Sequence, residues 1–420
     1  MRKAAITLMI WMGLAAACAQ AEVTYAKEVS RILAGRCQQC HRPGDIGPMS
    51  LLSYDDAVNY APDIKRVVSE GIMPPWKPSE SHGTFKGSFA LKPEEKLDLL
   101  AWIENGTPMG AEADLPPKPE ARGAWVLGEP DLVIQMPVAF VPVRGKDVYR
   151  CFVLPTGTDA DKYVSAIDIV PGNRKIVHHV IVYLDSTGGA EKLDAKDEEP
   201  GYDCYGGPGF DIGASNLLSL LMDGYTLGGW APGARPEHLP KGVGMKLGKQ
   251  ARIILQVHYY TSARTGEDQT SVGIYFNKEK VEKQLYYLPV VQTRLNIEAG
   301  DPASLASTSF PVLPFFEMSV INVFPHMHLL GTKIEVEKQY RGEKEQMILI
   351  DKWDFNWQGA YTFEQPVKLP ANSQLNLRCS FDNSVNNPRN PSNPLKNVKW
   401  GEGTEDEMCL ALVGVIFDRF

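Results

Sequence analysis

Read for apolar and polar positions alone, the chain falls into stretches of different period. Residues Ala4 to Ala17 carry no charge. Helical spacing follows, from Glu28 to Leu33 and again from Pro93 to Ile103, with Pro93 at the start of the second run and Gly106 just past its end as helix punctuation. From about residue 123 the pattern changes to β-branched or alternating runs: Tyr163–Val170, Lys175–Val182, Ala251–Tyr260 and Met318–Phe324, divided by Gly, Pro and Asn turns. Their density predicts stacked antiparallel sheets rather than βαβ units. Pro116-Pro117-Lys118-Pro119 reads as a stiff, extended linker between the two regions. Glu191–Pro200 is expected to be a solvated loop, and no repeat of fixed period is present.

Composition sharpens this picture only in part. A chain of 420 residues is long enough for two or three domains. Its 44% hydrophobic and 22% charged content excludes a disordered, collagen-like or polytopic membrane chain. The formal charge of -8 leaves no electrostatic footprint for nucleic acid. The basic Arg2-Lys3, the apolar run and Ala19-Gln20-Ala21 together describe a secretory signal peptide over residues 1–21. The run falls short of the ~20 residues that a membrane-spanning helix needs, and no later segment is long and apolar enough, so no transmembrane anchor is expected. Ala15-Ala16-Ala17-Cys18 loosely resembles a lipidation box but lacks the usual Leu, which leaves lipoprotein anchoring through Cys18 as the minor alternative. The expected location is periplasmic or secreted.

Six cysteines then remain: Cys37, Cys40, Cys151, Cys204, Cys379 and Cys409. An oxidising compartment invites disulfides, but the first two differ. Cys37-Gln38-Gln39-Cys40-His41 is C-x-x-C-H, the c-type haem attachment signature. Two thiols one helical turn apart can form thioethers to the porphyrin vinyls, and the adjoining imidazole turns onto the iron. A C-x-x-C redox motif is the alternative. A second axial ligand is expected nearby. Met73, in Gly71-Ile72-Met73-Pro74-Pro75-Trp76, is the candidate because two prolines hold the chain extended after it. Met49 is the runner-up. His/Met ligation suits electron transfer rather than oxygen chemistry. Residues 24–112 are thus expected to form a small all-α c-type cytochrome domain with one covalent haem c.

Five of the eight histidines fall on the predicted strands. Residues i and i+2 of a strand share a face, so His326 and His328 can grip one ion. His178 and His179 are adjacent and point to opposite faces of a regular strand. They can share a metal with each other only if the strand is distorted or the rings use different nitrogens. His258 lies in Leu255-Gln256-Val257-His258-Tyr259. A buried imidazole bonded to backbone is the usual fate of a single His, but five on apolar strands point to metal. His82 and His238 match no ligand pattern and are expected at the surface.

Val177-His178-His179-Val180, Leu239-Pro240-Lys241-Gly242-Val243-Gly244, Leu255-Gln256-Val257-His258-Tyr259, His326-Met327-His328-Leu329-Leu330-Gly331 and Asp406-Glu407-Met408-Cys409 occur in that order. The set resembles the type II copper monooxygenases, the family of peptidylglycine α-hydroxylating monooxygenase and dopamine β-monooxygenase. The resemblance spans roughly residues 123–420. It implies two tandem antiparallel β-sandwich, jelly-roll-like domains over 123–290 and 291–420, behind a Pro-rich linker at 113–122. Each would hold one of two copper ions. His178, His179 and His258 would form the electron-receiving site. His326, His328 and Met408 would form the catalytic site that meets O2 and substrate. Met is a poor zinc ligand and suits Cu(I). The resemblance also implies disulfides Cys151–Cys204 and Cys379–Cys409.

The haem signature and the copper resemblance together imply an exported haem- and copper-dependent monooxygenase that hydroxylates an aliphatic C–H bond. Its partners would be O2, a small-molecule substrate and an electron donor, either ascorbate or a redox protein, with the fused cytochrome replacing or supplementing ascorbate. Peptide-hydroxylating relatives carry an Arg two residues before the His-x-His pair and Asn and Tyr after the Met-Cys pair. Those places here read Phe324, Leu410 and Leu412, so a peptide carboxylate clamp is missing and an apolar or aromatic small substrate is expected. Two alternatives stay open. One is a copper- or electron-carrying protein without oxygenase activity, and the other an oxidase whose cytochrome accepts electrons. Gln256 and Tyr259 either hydrogen-bond the ligand set or face solvent. Trp353 and Trp357 are expected to pack in the core, with pocket lining as the alternative.

Overall fold

The computed structural model describes residues 22–117, 123–145, 147–210, 225–261 and 266–419. The expected signal peptide with Cys18, and residues 118–122 of the expected linker, lie outside the described residues.

The first helical pattern forms a single π-helical turn, Tyr25–Val29, running into the helix Ser30–Arg36, and the second forms Pro93–Glu104. Gly106 sits at φ +84°, a conformation open to glycine, and the Thr107 N–H closes the last turn on the Trp102 carbonyl at 2.9 Å. Between them lie two short helices, Tyr54–Asn59 and Ala61–Ser69. Ser53 and Asp56 form a capping box at the first of these. Val29, Leu33, Leu99 and Trp102 are fully buried together, and the half-buried Cys37 packs against this separate small core.

The β region forms two sandwiches. In the first, Leu132–Gln135, Ser271–Phe276, Lys162–Val170 and Val243–Leu247 face a five-stranded sheet of Tyr202–Asp203, Asp147–Pro155, Arg252–Tyr260, Val177–Asp185 and Thr226–Trp230. In the second, Lys283–Val291, Leu410–Arg419, Glu317–His326 and Tyr361–Leu369 face Ser304–Pro311, Gln374–Phe381, Gly331–Tyr340 and Glu343–Ile350. The sequence expectation of tandem sandwiches misses how they join. Val243 and Gly244 pair in parallel with Lys283 and Gln284, so one face of each sandwich merges into a continuous eight-stranded sheet. Strand Lys283–Val291 therefore crosses the boundary expected at 290/291. Ile321 and Ile416 of the second sandwich also pack into the core of the first. The disulfides Cys151–Cys204 and Cys379–Cys409 are both formed. Sequence separations of 53 and 30 correspond to about 3–4 kcal/mol each on a chain-entropy account.

Glu191–Pro200 departs from the expected loop, because its first part is helical, Gly189–Asp194. The Asp185 carboxylate accepts the Thr187, Gly188 and Ala190 N–H groups and so nucleates the turn. The buried Arg150 guanidinium grips Asp197 with two 2.9 Å hydrogen bonds.

The helical region docks on both sandwiches. Strand Tyr361–Leu369 is the outer strand of the eight-stranded sheet, and residues 84–86 cover its edge. The Lys86 N–H donates to the Thr362 carbonyl at 2.8 Å and the Glu364 N–H to the Thr84 carbonyl at 2.9 Å. Phe85 is buried against Phe363 and Tyr361, with ring centroids 4.9 and 5.6 Å away. On the other side Arg174 pairs with Asp45 at 3.8 Å, and Arg235 donates to the Gln39 side chain.

Gly83 makes this docking possible. At φ +75° an added Cβ would meet the Met347 carbonyl oxygen at 2.4 Å. Gly83→Ala is expected to lower the unfolding free energy by roughly 1–3 kcal/mol. By hydrogen exchange, the Lys86 and Glu364 amides should lose protection while the strands of the first sandwich keep theirs.

Candidate metal centre

His178 and His179 leave the regular strand pattern together. Val177 pairs with Tyr259 and His179 with His258, so the register slips by one residue at His178. That irregularity resolves the problem of two adjacent histidines on opposite faces. Ligand atoms of His178, His179 and His258 all lie within 4.8 Å of one another. The His258 Nε2–H faces Asp147 Oδ1 at 3.2 Å, which leaves Nδ1 as the atom carrying a free lone pair. His258 Nδ1 and His178 Nε2 are buried without a protein partner. Burial lowers the pKa of all three rings, and their mutual repulsion as cations lowers those of His178 and His179 further. Neutral imidazoles with unpaired nitrogens are the donor set a metal requires.

The second group sits where strands Glu317–His326 and Leu410–Arg419 end. His326 pairs with Leu410 at the last rung of that ladder. His326 Nδ1–H faces the Gln358 side-chain oxygen, and the Gln358 amide is itself oriented by a 2.9 Å bond from its Nε2 to the Phe355 carbonyl. His328 Nδ1–H donates to the Asp406 carbonyl at 3.0 Å. Both rings are thereby turned with Nε2 free. Burial lowers their pKa values, to about 4 for His326 and about 3 for His328.

Met408 is buried, and its N–H donates to Glu407 Oε2 at 3.1 Å. The same carboxylate accepts the His328 N–H at 2.9 Å and the Leu330 N–H at 2.6 Å. Glu407 thus ties the His-x-His segment to the methionine segment, and the Cys379–Cys409 disulfide anchors the latter from the next residue. Burial pushes the Glu407 carboxyl up to about 8 against the pull of those N–H donors.

The two groups form one cluster. His179 and His326 ring centroids are 6.1 Å apart. Phe355 stacks on His178 at 4.4 Å and meets His328 edge-on at 5.9 Å. The sandwiches are also cross-linked here. Asp147, which orients His258, accepts the Thr404 N–H at 3.0 Å, and the Tyr149 ring stacked on His258 at 4.1 Å donates its hydroxyl to the Glu402 carbonyl.

Cys37, Cys40, His41 and Met73 line one cavity. The two thiols are not bonded to each other. Burial pushes Cys37 up to about 12 and Cys40 to about 11, the opposite of the lowered thiol pKa that a C-x-x-C redox pair uses. An unbonded thiol pair, an adjoining imidazole and a thioether around one apolar cavity fit a covalent haem.

Gln256 and Tyr259 are both buried, which excludes the solvent-facing alternative. Gln256 donates to the Cys204 carbonyl and Tyr259 to Asp268, so neither supports a ligand ring through its side chain. Trp353 is in the core, its Nε1–H on the His328 carbonyl at 3.1 Å, whereas Trp357 lines the Cys37–Met73 cavity. His82 and His238 stay outside both clusters. Asp147, Phe355 and Gln358 went unnoticed in the sequence because each lies far along the chain from the ring it serves. Glu407 stood in a recognisable motif but gave no sign of its role.

Residues 132–265 match the family profile "Copper type II ascorbate-dependent monooxygenase, N-terminal domain", and residues 306–414 match that of its C-terminal domain. Among curated proteins, the chain is 24% identical over 292 residues to the peptidylglycine alpha-amidating monooxygenases of Rattus norvegicus and Mus musculus. The alignment covers 66% of this chain and 26% of either relative, so the chain spans about a quarter of their length. Among solved structures, the major capsid protein P2 of bacteriophage PM2 aligns with 69% of this chain and 99% of its own at 9% identity. Its TM-score of 0.26 is too low to argue from.

Two variants test the supports around the rings. Asp147→Ala removes the acceptor that fixes His258, and copper affinity at the three-histidine group should fall by about 10–100-fold in a competitive chelator titration. Glu407→Gln sets an amide N–H against backbone donors and should cost roughly 1–3 kcal/mol of stability in urea unfolding. It should also weaken copper binding at His326 and His328 while sparing the three-histidine group.

Proposed function

The chain belongs to the copper type II ascorbate-dependent monooxygenases, and on that premise we propose that it is an exported enzyme hydroxylating an aliphatic C–H bond of a small apolar molecule, with electrons supplied through a haem of its own. The reaction takes one oxygen atom of O2 into the C–H bond and reduces the other to water, consuming two electrons and two protons from outside the substrate. His178, His179 and His258 would hold one copper, and His326, His328 and Met408 the other. Copper supplies the oxygen chemistry when bound. The chain's own contribution is geometric and dielectric. Gln358 and the Asp406 carbonyl aim His326 and His328, Glu407 fixes the backbone of the His-x-His and Met segments, and Phe355 keeps water from the space between His178 and His328.

The observation that carries this reading is the gathering of five imidazoles that burial holds neutral, four of them buried and His179 half-buried, each group with nitrogens left free for a metal. Substrate class follows from the sheet register. Phe324 pairs with Leu412 and His326 with Leu410, so Phe324, Leu410 and Leu412 share the His326 face of the ladder. All three are half-buried. An apolar strip leading to a ligand imidazole favours an apolar or aromatic substrate over a peptide carboxylate.

Residues 24–112 would be the cytochrome domain, with Cys37 and Cys40 as thioether carriers, His41 as one axial ligand and Met73 as the other. The two formed disulfides fit an oxidising, extracytoplasmic compartment. Among the described residues, no helix is long and apolar enough to cross a membrane.

Metal analysis of the purified full chain should give two coppers and one haem per molecule. Apolar C–H substrates should drive O2 uptake that continues, at a lower rate, when ascorbate is replaced by a one-electron donor that reduces haem. One copper per chain without substrate-dependent O2 uptake would make the protein a carrier and overturn the reading.

A further inference from the structure

Eleven of the twelve residues lining the Cys37–Met73 cavity come from the stretch Arg36–Pro75; the twelfth is Trp357, from the second sandwich. A residue some three hundred positions away thus completes the wall of the haem pocket. Its neighbours lead directly to the metal centre. Gln358 follows Trp357 in the chain, and its side-chain oxygen holds the His326 Nδ1–H. Phe355, two residues before Trp357, stacks on His178 and touches the edge of His328. One short loop therefore contacts the haem cavity at one point and ligand rings of both copper groups at others.

The loop is also held rigidly. The Trp353 N–H donates to the Thr332 carbonyl at 2.9 Å, and its indole to the His328 carbonyl. The Trp357 N–H closes on the Asp354 carbonyl at 3.0 Å. Lys77, four residues after Met73, pairs with Asp354 at 3.3 Å with both side chains partly buried. The same loop is thus pinned to the segment that carries the expected axial methionine. Domain docking alone would require none of these contacts to converge on the cavity and the rings.

We propose that the loop Trp353–Gln358 is the electron bridge between haem and copper, with Trp357 as its haem-side end and the Gln358–His326 hydrogen bond and the Phe355–His178 stack as its two copper-side ends. The inference rests on the proposed function, in which Cys37 and Cys40 carry haem and the histidines carry copper. The step moves one electron: haem iron passes from Fe(II) to Fe(III) as copper passes from Cu(II) to Cu(I), with no bond made and no proton moved. An external one-electron donor such as ascorbate then reloads the haem. Trp357 and Gln358 act as positioning residues in this scheme.

The test uses the full chain loaded with haem and copper, without O2. A substoichiometric pulse of a small one-electron reductant reduces the haem, and its reoxidation by copper is followed through the haem visible absorbance. Trp357→Ala and, as a second variant that keeps apolar bulk, Trp357→Leu should slow reoxidation by on the order of tenfold or more, the factor that ~1.4 kcal/mol of barrier represents. Trp357→Phe should stay near wild type. In the copper-free protein, optical redox titration of Trp357→Ala should give a lower haem potential, because solvent reaching the haem favours the more highly charged ferric state. A lower potential makes the haem a stronger donor, so slower transfer cannot arise from driving force. Reoxidation in Trp357→Ala and Trp357→Leu as fast as in wild type would overturn the bridge, as would a haem potential unmoved by Trp357→Ala. A wild-type haem that copper never reoxidises would instead overturn the proposed function itself, in which the haem donates to copper.

Discussion

The metal centre depends on a single buried carboxylate. Strands Glu317–His326 and Leu410–Arg419 pair down to His326 and Leu410, and beyond that rung their backbones separate. Left alone, the N–H groups of His328, Leu330 and Met408 would be buried with no ladder to join, each at the cost of a lost hydrogen bond. Glu407 takes all three. A carboxylate buried this deeply is tolerated only when donors surround it, and these donors can surround it only in one arrangement of the two segments. The requirement runs both ways, so the carboxylate fixes the backbone from which His328 and Met408 project.

Around that point the same economy recurs with different groups. Three of the rings each donate one N–H to a fixed acceptor and turn the other nitrogen inward: His258 to Asp147, His326 to Gln358, His328 to the Asp406 carbonyl. The acceptors belong to both sandwiches, and Asp147 bonds across to Thr404. Orientation of the rings and registration of the two domains are therefore one physical problem. The parallel pairing of Val243–Gly244 with Lys283–Gln284 makes the joint stiff enough for angstrom-scale hydrogen bonds to span it.

Much of this was legible in the order of residues, and the boundary of legibility has a physical basis. Helix ends at Pro93 and Gly106 are local events, set by a ring-locked φ and an unhindered positive φ, and they appear where the sequence put them. The strand period located His178, His179, His258 and His326 on sheets, but it carried His328 onto the same strand, and that strand ends at His326. It could not reveal the register slip at His178, because a bulge is a relation between two strands, and neither strand records it alone. For the same reason Asp147, Phe355 and Gln358 were silent: each acts on a ring tens or hundreds of positions away. The Glu191–Pro200 stretch is solvated as its charges imply, but its first part is helical because Asp185, outside the stretch, caps the turn, and the buried Arg150 holds Asp197.

On the proposed function, the arrangement of the three modules answers a constraint on electron delivery. A site that excludes water to protect oxygen chemistry also excludes a diffusing reductant, since both need the same access. One solution is to admit the donor through solvent at a separate metal and carry electrons across a gap. This chain has the parts for another. Its helical region adds residues 84–86 to the outer edge of the second sandwich's own sheet, which brings the Cys37–Met73 cavity against the loop that packs on His178 and His328. Covering an exposed sheet edge is a general protection against unwanted pairing. Here the covering segment also sets the distance between that cavity and the histidine cluster, so a contact that stabilises the fold fixes the geometry on which the proposed function would run.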